Sequence, residues 1–430
     1  MPVIVAIEKE NLFSAYAIYS PIALLRAEGC FKNPEIYSKI VVLSIIPPQG
    51  KIPKNRYNGP MRIAMIGQKG IELGSRGGGV EVHVAQISSR LVKKGHDVTI
   101  FCRAKYSPKK PGEYQGVHLR YLPTIYTKRL EAIVHTFFST LAVVAGSFDV
   151  VHYHGVGPST LAFIPRIFRP RMTVVVTFHA RDMLNRKWGW GARRLLAFAE
   201  RTAIWFSHYC IAVSHDLQVY CRDVLHREVV YIPNGATIQE ETGTNELEKF
   251  DLRAREYILT VGRLVPAKGL HYLVEAFRGI ETQQQLVIVG APSYSDAYLE
   301  SLYALAEGDE RIHFLGFQTG ETLRQLFGHA YLYVQPSEVE GLPLVVLEAM
   351  SFGIPPLVSD IAPNLEAIHN GGFTFETQNA NDLRKHLVEL LDHPDLVAAK
   401  SAQAKEIIQT KFNWDVIADH TEAIYISARH

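Results

Sequence analysis

The chain has 430 residues, 47% hydrophobic and 20% charged, with a formal net charge of +2. This is ordinary globular composition, and the length points to two or more domains. No apolar run reaches the roughly 18 residues of a membrane span. The four cysteines (Cys30, Cys102, Cys210, Cys221) lack CxxC spacing, which excludes a disulfide frame or a cysteine zinc site and fits reduced thiols in the cytosol.

The small net charge hides an asymmetry. Residues 1–60 hold 7 basic and 4 acidic residues, residues 61–240 hold 24 and 12, and residues 241–430 hold 14 and 27. The middle block is thus +12 and the last −13. A split of this size leads us to expect an anionic partner for the middle block: a membrane surface, a phosphorylated acceptor or nucleic acid.

The start, MPVIVAIEKENLF, places acids and a lysine directly after a short apolar run and reads poorly as a signal peptide. Residues 1–60 end in the Pro/Gly/Lys-rich IIPPQGKIPKNRYNGP and read as an appendage and linker. MRIAMIG then opens the first buried strand at Met61, where we expect the first domain to begin. VEVHVAQISSRLVKKG is an amphipathic helix closed by Gly95. DVTIFC, VHLRYL, DVVHYH, TVVVTF, YCIAV and VVYI follow as strands, with helical stretches between most of them. Residues 239–255 are polar and acidic and read as a connector. A second series follows: YILTVG, LVIVG, IHFLG, YLYVQ and PLVS, again separated by helices. Short β-branched runs alternating with helices predict parallel sheets covered on both faces.

The expected organisation is therefore α/β: two doubly wound Rossmann-like domains in tandem, over 61–240 and 241–412, facing across a cleft. A last helix over 413–430 would pack back on the first domain. Ligands in such sheets bind outside the carboxyl ends of the strands, so four strand-end motifs are singled out.

The first is GQKGIELGSRGGGVE, residues 67–81. Glycines permit positive φ and close backbone approach, and the helix that follows offers an N-terminus to an anion. The spacing matches neither GxGxxG nor GxxxxGK[ST], which disfavours a dinucleotide site or a P-loop. Gly77, Gly78 and Gly79 are the candidates here. The second is TFHARD, residues 177–182, where His179 just past a strand should point into the cleft. His152 and His154 in VHYHG are two apart on a strand with no carboxylate or cysteine near in sequence. They read as core and cleft-edge residues, and no metal is assigned.

The third is VGRLVPAKG, residues 261–269, in which Arg263 and Lys268 follow the first strand of the second domain. A helix starting near Ala267 would gather both cations, beside Gly262, at one strand end. Two cations there, in an acidic domain, suit a diphosphate. The fourth is EGLPLVVLE, residues 340–348, two acids flanking a helix start. Pro343 suits a first turn, which leaves the amides of Leu344 and Val345 free for a phosphate. Glu348 lies about 7.5 Å further along the axis, roughly the span from a nucleotide's phosphates to its ribose. Glu340, before the helix and next to Gly341, would stand near whatever the phosphate carries.

GRLVPAKG followed by PSEVEGLPLVVLEAMSFGIP, together with the glycine loop, HARD, IPNG and the Glu340-x7-Glu348 spacing, resembles family 4 of the retaining, nucleotide-sugar-dependent glycosyltransferases with the GT-B fold. The resemblance runs from Met61 to the C-terminus. It implies that Arg263 and Lys268 bind the donor diphosphate and stabilise it as leaving group. Glu348 would hold the ribose, and Glu340 with the following amides would contact the donor sugar. His179 would touch that sugar near the reacting carbon, and Gly77 to Gly79 would border acceptor and donor phosphates. The anomeric configuration would be kept by front-face displacement, without a DxD-bound metal and without a cofactor beyond the nucleotide-sugar substrate. One departure is Pro356, where the family more often has valine; it falls at a strand start, where proline is tolerated.

The expected partners are a nucleotide-sugar donor with a UDP-, GDP- or similar nucleotide and an acceptor the sequence does not identify, a lipid-linked one among the candidates, with no nucleic acid. RIFRPRM and NRKWGWGARRLLAF, with Trp188 and Trp190 among cations, suit an anionic membrane surface, and a solvated basic face accounts for them equally. That implies a cytoplasmic protein, peripheral on the inner face of the membrane, in cell-surface polysaccharide or glycolipid synthesis. Two other functions fit the same motifs: a GT-B-like nucleotide-sugar epimerase, and a nucleotide-sugar-binding module without catalysis.

Overall fold

The computed structural model describes residues 59–71, 77–106, 110–127, 130–181, 190–240, 243–292 and 296–428. The appendage reading of residues 1–60 falls almost entirely outside the described residues. So do Cys30, Asp182 and Trp188, and residues 72–76 of the glycine loop.

The first lobe runs β1 (Arg62–Ile66), α1 (Gly79–Lys93), β2 (Asp97–Arg103), β3 (Glu113–Tyr114), β4 (Val117–Leu122), α2 (Glu131–Ala145) and β5 (Val150–His154). It continues with α3 (Val156–Ser159), α4 (Phe163–Phe168), β6 (Thr173–Phe178), α5 (Trp190–Phe206), β7 (Tyr209–Ala212), α6 (His215–Asp223) and β8 (Val230–Tyr231). The second lobe begins with β9 (Tyr257–Val261), α7 (Leu270–Arg278), β10 (Gln285–Val289), α8 (Asp296–Ala306), β11 (Ile312–Gly316), α9 (Gly320–Gly328) and β12 (Leu332–Gln335). It ends with α10 (Leu344–Ser351), β13 (Pro356–Ser359), α11 (Ala362–Ile368), β14 (Phe373–Phe375), α12 (Ala380–Asp392), α13 (Pro394–Lys411) and α14 (Trp414–Ser427).

The strands form an eight-stranded sheet, β3-β4-β2-β1-β5-β6-β7-β8, and a six-stranded sheet, β11-β10-β9-β12-β13-β14. Every pairing is parallel except that of β3 with β4. The central strands β1, β5, β6 and β9 are buried almost end to end (Ile63 to Ile66, Val150 to His154, Thr173 to Phe178, Tyr257 to Thr260). Runs such as VVHYH and TVVVTF are apolar or satisfied on both faces because helices cover both. Strand order reverses between β1 and β5 in one sheet and between β9 and β12 in the other. Those switch points open crevices at the strand carboxyl ends, and they carry the loops that begin at Gly67, Gly155, Gly262 and Pro336.

Two local readings of the sequence need correction. The segment Pro266–Lys268 is a 3-10 turn ended by Gly269 at φ 66°, and the α-helix begins only at Leu270. Gly269 is forced by contact, since a Cβ there would lie 1.9 Å from the Pro336 carbonyl oxygen. The second correction concerns positive φ. Gly78 is extended at φ −158°, whereas the left-handed values at this strand end belong to Gly67 (123°) and Gly70 (159°). The triglycine segment serves close approach instead: a Cβ on Gly79 would come within 3.1 Å of Leu344 Cδ1, across the cleft.

Helix α14 crosses to the first lobe and packs on α1. Arg90 reaches Asp415 at 2.7 Å, and Lys94 and His96 reach the two oxygens of Glu422 at 2.7 and 2.8 Å. Trp414, Ile417 and Tyr425 join the first lobe's core with Ile63, Val84 and Ile87. Pro356 opens β13, paired with Tyr333, a first-residue position that tolerates proline.

Candidate active site

The site is assembled from loops at both switch points. From the second lobe come the β9 loop, with Gly262, Arg263 and Lys268, and the β12 loop, with Glu340 and Gly341, leading into α10. From the first lobe come Lys69, the start of α1 at Gly77 to Gly79, and His179 after β6.

Lys268 and Glu340 are paired directly, Nζ to Oε1 at 2.5 Å, with only 18% and 10% of their side chains exposed, respectively. Gln335 Nε2 and Ser337 Oγ donate to the same Glu340 oxygen, each at 2.7 Å. Gln335 is oriented in turn by the Tyr333 hydroxyl at 2.6 Å. Burial works to raise the Glu340 carboxyl, but the charge of Lys268 and these three hydrogen bonds outweigh it and leave the group below its usual value. Glu340 is therefore a fixed anion with one oxygen saturated by neighbours.

Glu348 differs. It lies on α10, half-buried, and its carboxylate has no hydrogen-bond or ion-pair partner among the described residues. Burial pushes it up to about 7. A carboxylate held without a partner in a cleft is poised to accept hydrogen bonds from a ligand. Between the two acids, Pro343 caps α10 with φ −74° and ψ 105°. The Pro343 carbonyl accepts from Val346 at 3.1 Å. The Leu344 and Val345 amides precede the first intrahelical bonds and are oriented outward at the positive end of the helix dipole.

Arg263 is exposed, with no partner for its guanidinium among the described residues. Lys69 is near enough to Arg263 that the two charges repel. Burial, then the cations Arg103 and Arg263, lower the Lys69 ammonium despite the opposing pull of Glu81 and Glu131. A cation from each lobe, Lys69 and Arg263, thus lies within electrostatic reach of the other.

His179 sits half-buried at the carboxyl end of β6. Its Nε2 is 3.2 Å from His154 Nδ1, and its ring stands edge-on to His83 at 4.8 Å. Burial, with the neighbouring His83 and His152, pushes it well below its ordinary value, so it is neutral at pH 7. His152 and His154 are buried in the sheet, and His152 is held by the Tyr425 hydroxyl (2.6 Å) and Thr177 Oγ1 (2.7 Å). The donor atoms of His83, His154 and His179 lie within 4.8 Å of one another, close enough to share a metal ion. Two of those atoms already hydrogen-bond to each other, and the group includes no carboxylate.

Sequence reasoning missed two residues. Asn234, in IPNG, is buried and bridges the lobes: its Nδ2 donates to the Leu342 carbonyl at 2.8 Å, and its Oδ1 accepts from His83 Nδ1 at 2.9 Å. The buried asparagine in an otherwise apolar strand end was the available signal. His83 lies 151 residues away in sequence, so no local pattern links it to the site. Gly341 also has a sharper role than proximity: its Cα rests on the first lobe's backbone, where a Cβ would stand 1.8 Å from the His179 carbonyl oxygen.

Two doubly wound lobes, each with its own switch point at the cleft, have the architecture of the GT-B fold. A family model described as Glycosyltransferase Family 4 matches residues 77–240, and one described as Glycosyl transferases group 1 matches residues 245–407. The chain belongs to the family 4 glycosyltransferases. An uncharacterized glycosyltransferase of Methanocaldococcus jannaschii is 26% identical over 383 residues, covering 81% of this chain and 94% of the relative. The phosphatidyl-myo-inositol mannosyltransferase of Mycobacterium leprae is 26% identical over 381 residues, covering 85% and 96%. Among solved structures, Anabaena HepE in complex with UDP and glucose aligns with a TM-score of 0.71 at 18% identity, over 85% of this chain and 99% of that one.

Proposed function

We propose that this glycosyltransferase moves a sugar from a nucleoside-diphosphate sugar to a lipid-linked acceptor, with retention of anomeric configuration and without a metal ion. The observation that carries the reading is the pair of unlike carboxylates flanking one helix start. Glu340 is a fixed anion, paired and hydrogen-bonded; Glu348 has no partner, and the α10 amides and Arg263 lie nearby. A nucleotide sugar matches that order, with sugar at Glu340, diphosphate at Arg263, Lys268 and the Leu344 and Val345 amides, and ribose at Glu348. HepE, solved with UDP and glucose, supports a nucleotide donor.

The chemistry breaks the bond from the anomeric carbon to the diphosphate oxygen and forms one to the acceptor oxygen on the same face. The acceptor proton passes to the departing phosphate oxygen. Arg263, Lys268 and the helix amides stabilise the charge that develops there, the work a metal does elsewhere. Glu340 holds Lys268 in position and accepts from sugar hydroxyls through its second oxygen. Neutral His179 lies on the opposite wall, within reach of the sugar near its reacting carbon. Gly77 to Gly79 allow the first lobe to approach the donor phosphates.

A lipid acceptor is supported by the basic first lobe and by apolar residues left in solvent: Ile167 and Phe168 on α4 are 60% and 67% exposed, Trp190 and Trp205 on α5 73% and 67%. Arg166, Arg194 and Arg201 are exposed on the same two helices. Such a face suits peripheral binding to an anionic bilayer; no helix among the described residues is long and apolar enough to cross a membrane. On this reading the enzyme is cytoplasmic and membrane-peripheral and serves cell-surface glycolipid or polysaccharide synthesis. The test is a panel of UDP-, GDP- and ADP-sugars with membrane lipid extract, run with EDTA, following nucleoside diphosphate release and the anomeric proton coupling of the product. Acceptor-dependent release and a retained configuration are expected. Interconversion of the donor without acceptor, or an inverted product, would overturn the reading.

A further inference from the structure

An apolar concavity lies in the first lobe, between the loop after β4 and helix α2. It has a volume of about 500 Å³ and is lined by Ile125, Ile133, Val134, Phe137, Phe138 and Leu161. That is within the roughly 300–1,000 Å³ usual for small-molecule sites. Among its described lining residues the hydroxyl of Thr124 is already used, donating to the Glu131 carbonyl at 2.7 Å. Water placed there finds few polar partners. Ile125, Phe137 and Phe138 are nonetheless 52%, 42% and 41% exposed. A cluster of large apolar side chains left open in this way marks a binding site more often than an accident of folding.

Its position says what kind of apolar ligand fits. Residues 123–125 follow the carboxyl end of β4, the same sheet end from which the loops of Lys69 and His179 leave. The first turn of α2 is tied to the β1 loop through Arg103, which pairs with Glu131 at 2.9 Å and donates to the Gly67 carbonyl at 3.2 Å. Two lysines at this sheet end each lie beside an aromatic ring. Lys105 Nζ lies 5.0 Å from the ring of Tyr126, the neighbour of Ile125, and Lys69 Nζ lies 5.4 Å from that of Tyr106. Lys69 is in turn within electrostatic reach of Arg263 at the donor diphosphate. An apolar pocket, two lysines and the first-lobe loops of the transfer site thus share the carboxyl end of one sheet.

We propose that this pocket holds the near part of the hydrocarbon chain of a phosphate-bearing lipid acceptor, with the lipid phosphate facing Lys105 and Lys69 and the accepting oxygen directed into the cleft. The proposal rests on the lipid-acceptor reading above and deepens it: the chain enters the protein here, and the bilayer contact on α4 and α5 is a separate surface. Charge and apolarity are graded in the order that a lipid phosphate presents them.

The test is titration calorimetry of the full chain with farnesyl monophosphate, with farnesol and inorganic phosphate as the two halves of the probe. Farnesyl monophosphate should bind, and each half should bind more weakly by about tenfold or more. Phe137→Asp should weaken farnesyl monophosphate by about tenfold, and Lys105→Glu should weaken it without affecting farnesol. Phe168→Ser, outside the pocket, should bind the probe as the parent does and lose affinity for phosphatidylglycerol vesicles. The thermal shift with UDP or GDP, read on every variant, reports the donor site separately, so a failure of the donor reading is distinguishable. Where Phe137→Asp lacks the parent's melting curve, Phe138→Ser replaces it. Undiminished binding of farnesyl monophosphate to the pocket variants would overturn the proposal. So would a probe that does not bind while Phe137→Asp and Phe168→Ser lose vesicle affinity equally, for the face would then be bilayer contact alone.

Discussion

Gly341 in the second lobe lies directly on the carbonyl of His179 in the first: a Cβ at Gly341 would stand 1.8 Å from that oxygen. No side chain fits such a gap, so at this point the two walls of the cleft meet through backbone alone. Gly341→Ala must push the walls apart. Since a misplacement of about 1 Å costs on the order of 10²-fold in rate, kcat should fall by about that factor, with nucleotide binding to the second lobe largely kept. Steady-state kinetics beside a UDP or GDP titration checks this; parental kcat would mean that the contact has no bearing on catalysis.

Glu340→Gln leaves Lys268 without its anion while keeping shape. A loss of about 10² to 10³-fold in kcat is expected from disturbing a charge-stabilising pair of this kind, with KM for the donor changed much less. Equal losses in kcat and donor affinity would assign Glu340 to ground-state binding instead.

Glu348 titrates near 7 in the empty site because burial disfavours its charge. The ionised form accepts hydrogen bonds from ribose hydroxyls at both oxygens, so nucleotide affinity should rise as pH increases from 6 to 8. Glu348→Gln should bind weakly and without that dependence. Stability should move the other way. A carboxyl whose folded value lies above its unfolded one stabilises the fold while neutral at low pH and loses that contribution as pH rises through about 7. Glu348→Gln should therefore melt higher than the parent at pH 8, with a smaller difference at pH 5. Thermal melts at both values test the sign.

Asn234→Ala removes the side chain that joins His83 to the Leu342 carbonyl. Two buried polar groups lose their partner, at a cost of about 1–3 kcal/mol. A lower melting temperature should come with reduced kcat, because the loop of Glu340 loses its tie to α1. Unchanged stability would show that water replaces the amide.

Much of this architecture is legible in the sequence because strand ends announce themselves. Runs such as RIAMI and TVVVTF are apolar on both faces, and the residues after them mark the carboxyl ends where chemistry sits. Placing Arg263, Lys268, Glu340 and Glu348 at strand carboxyl ends follows from the strand pattern, and the adjacency of β9 and β12 brings Lys268 to Glu340. What stayed hidden depends on contacts between distant segments. His83 meets Asn234 across 151 positions, and Gly341 needs to be glycine only because His179 lies opposite. The helix expected near Ala267 is a 3-10 turn because Gly269 must bend at φ 66° beneath Pro336, a tertiary constraint no propensity reports. The pairing of Lys268 with Glu340 is equally invisible, since the two lie 72 residues apart and meet only through the packing of the β9 and β12 loops.

The central claim is that the helix start between two unlike acids measures out a nucleotide sugar. Titration calorimetry of UDP and GDP against the parent, Arg263→Ala and Glu348→Ala tests it most directly. The parent should bind one of the two nucleotides, and each variant should bind it at least about tenfold more weakly, the loss of one buried charged or charge-assisted hydrogen bond. Variants that bind UDP and GDP as tightly as the parent would contradict the whole assignment.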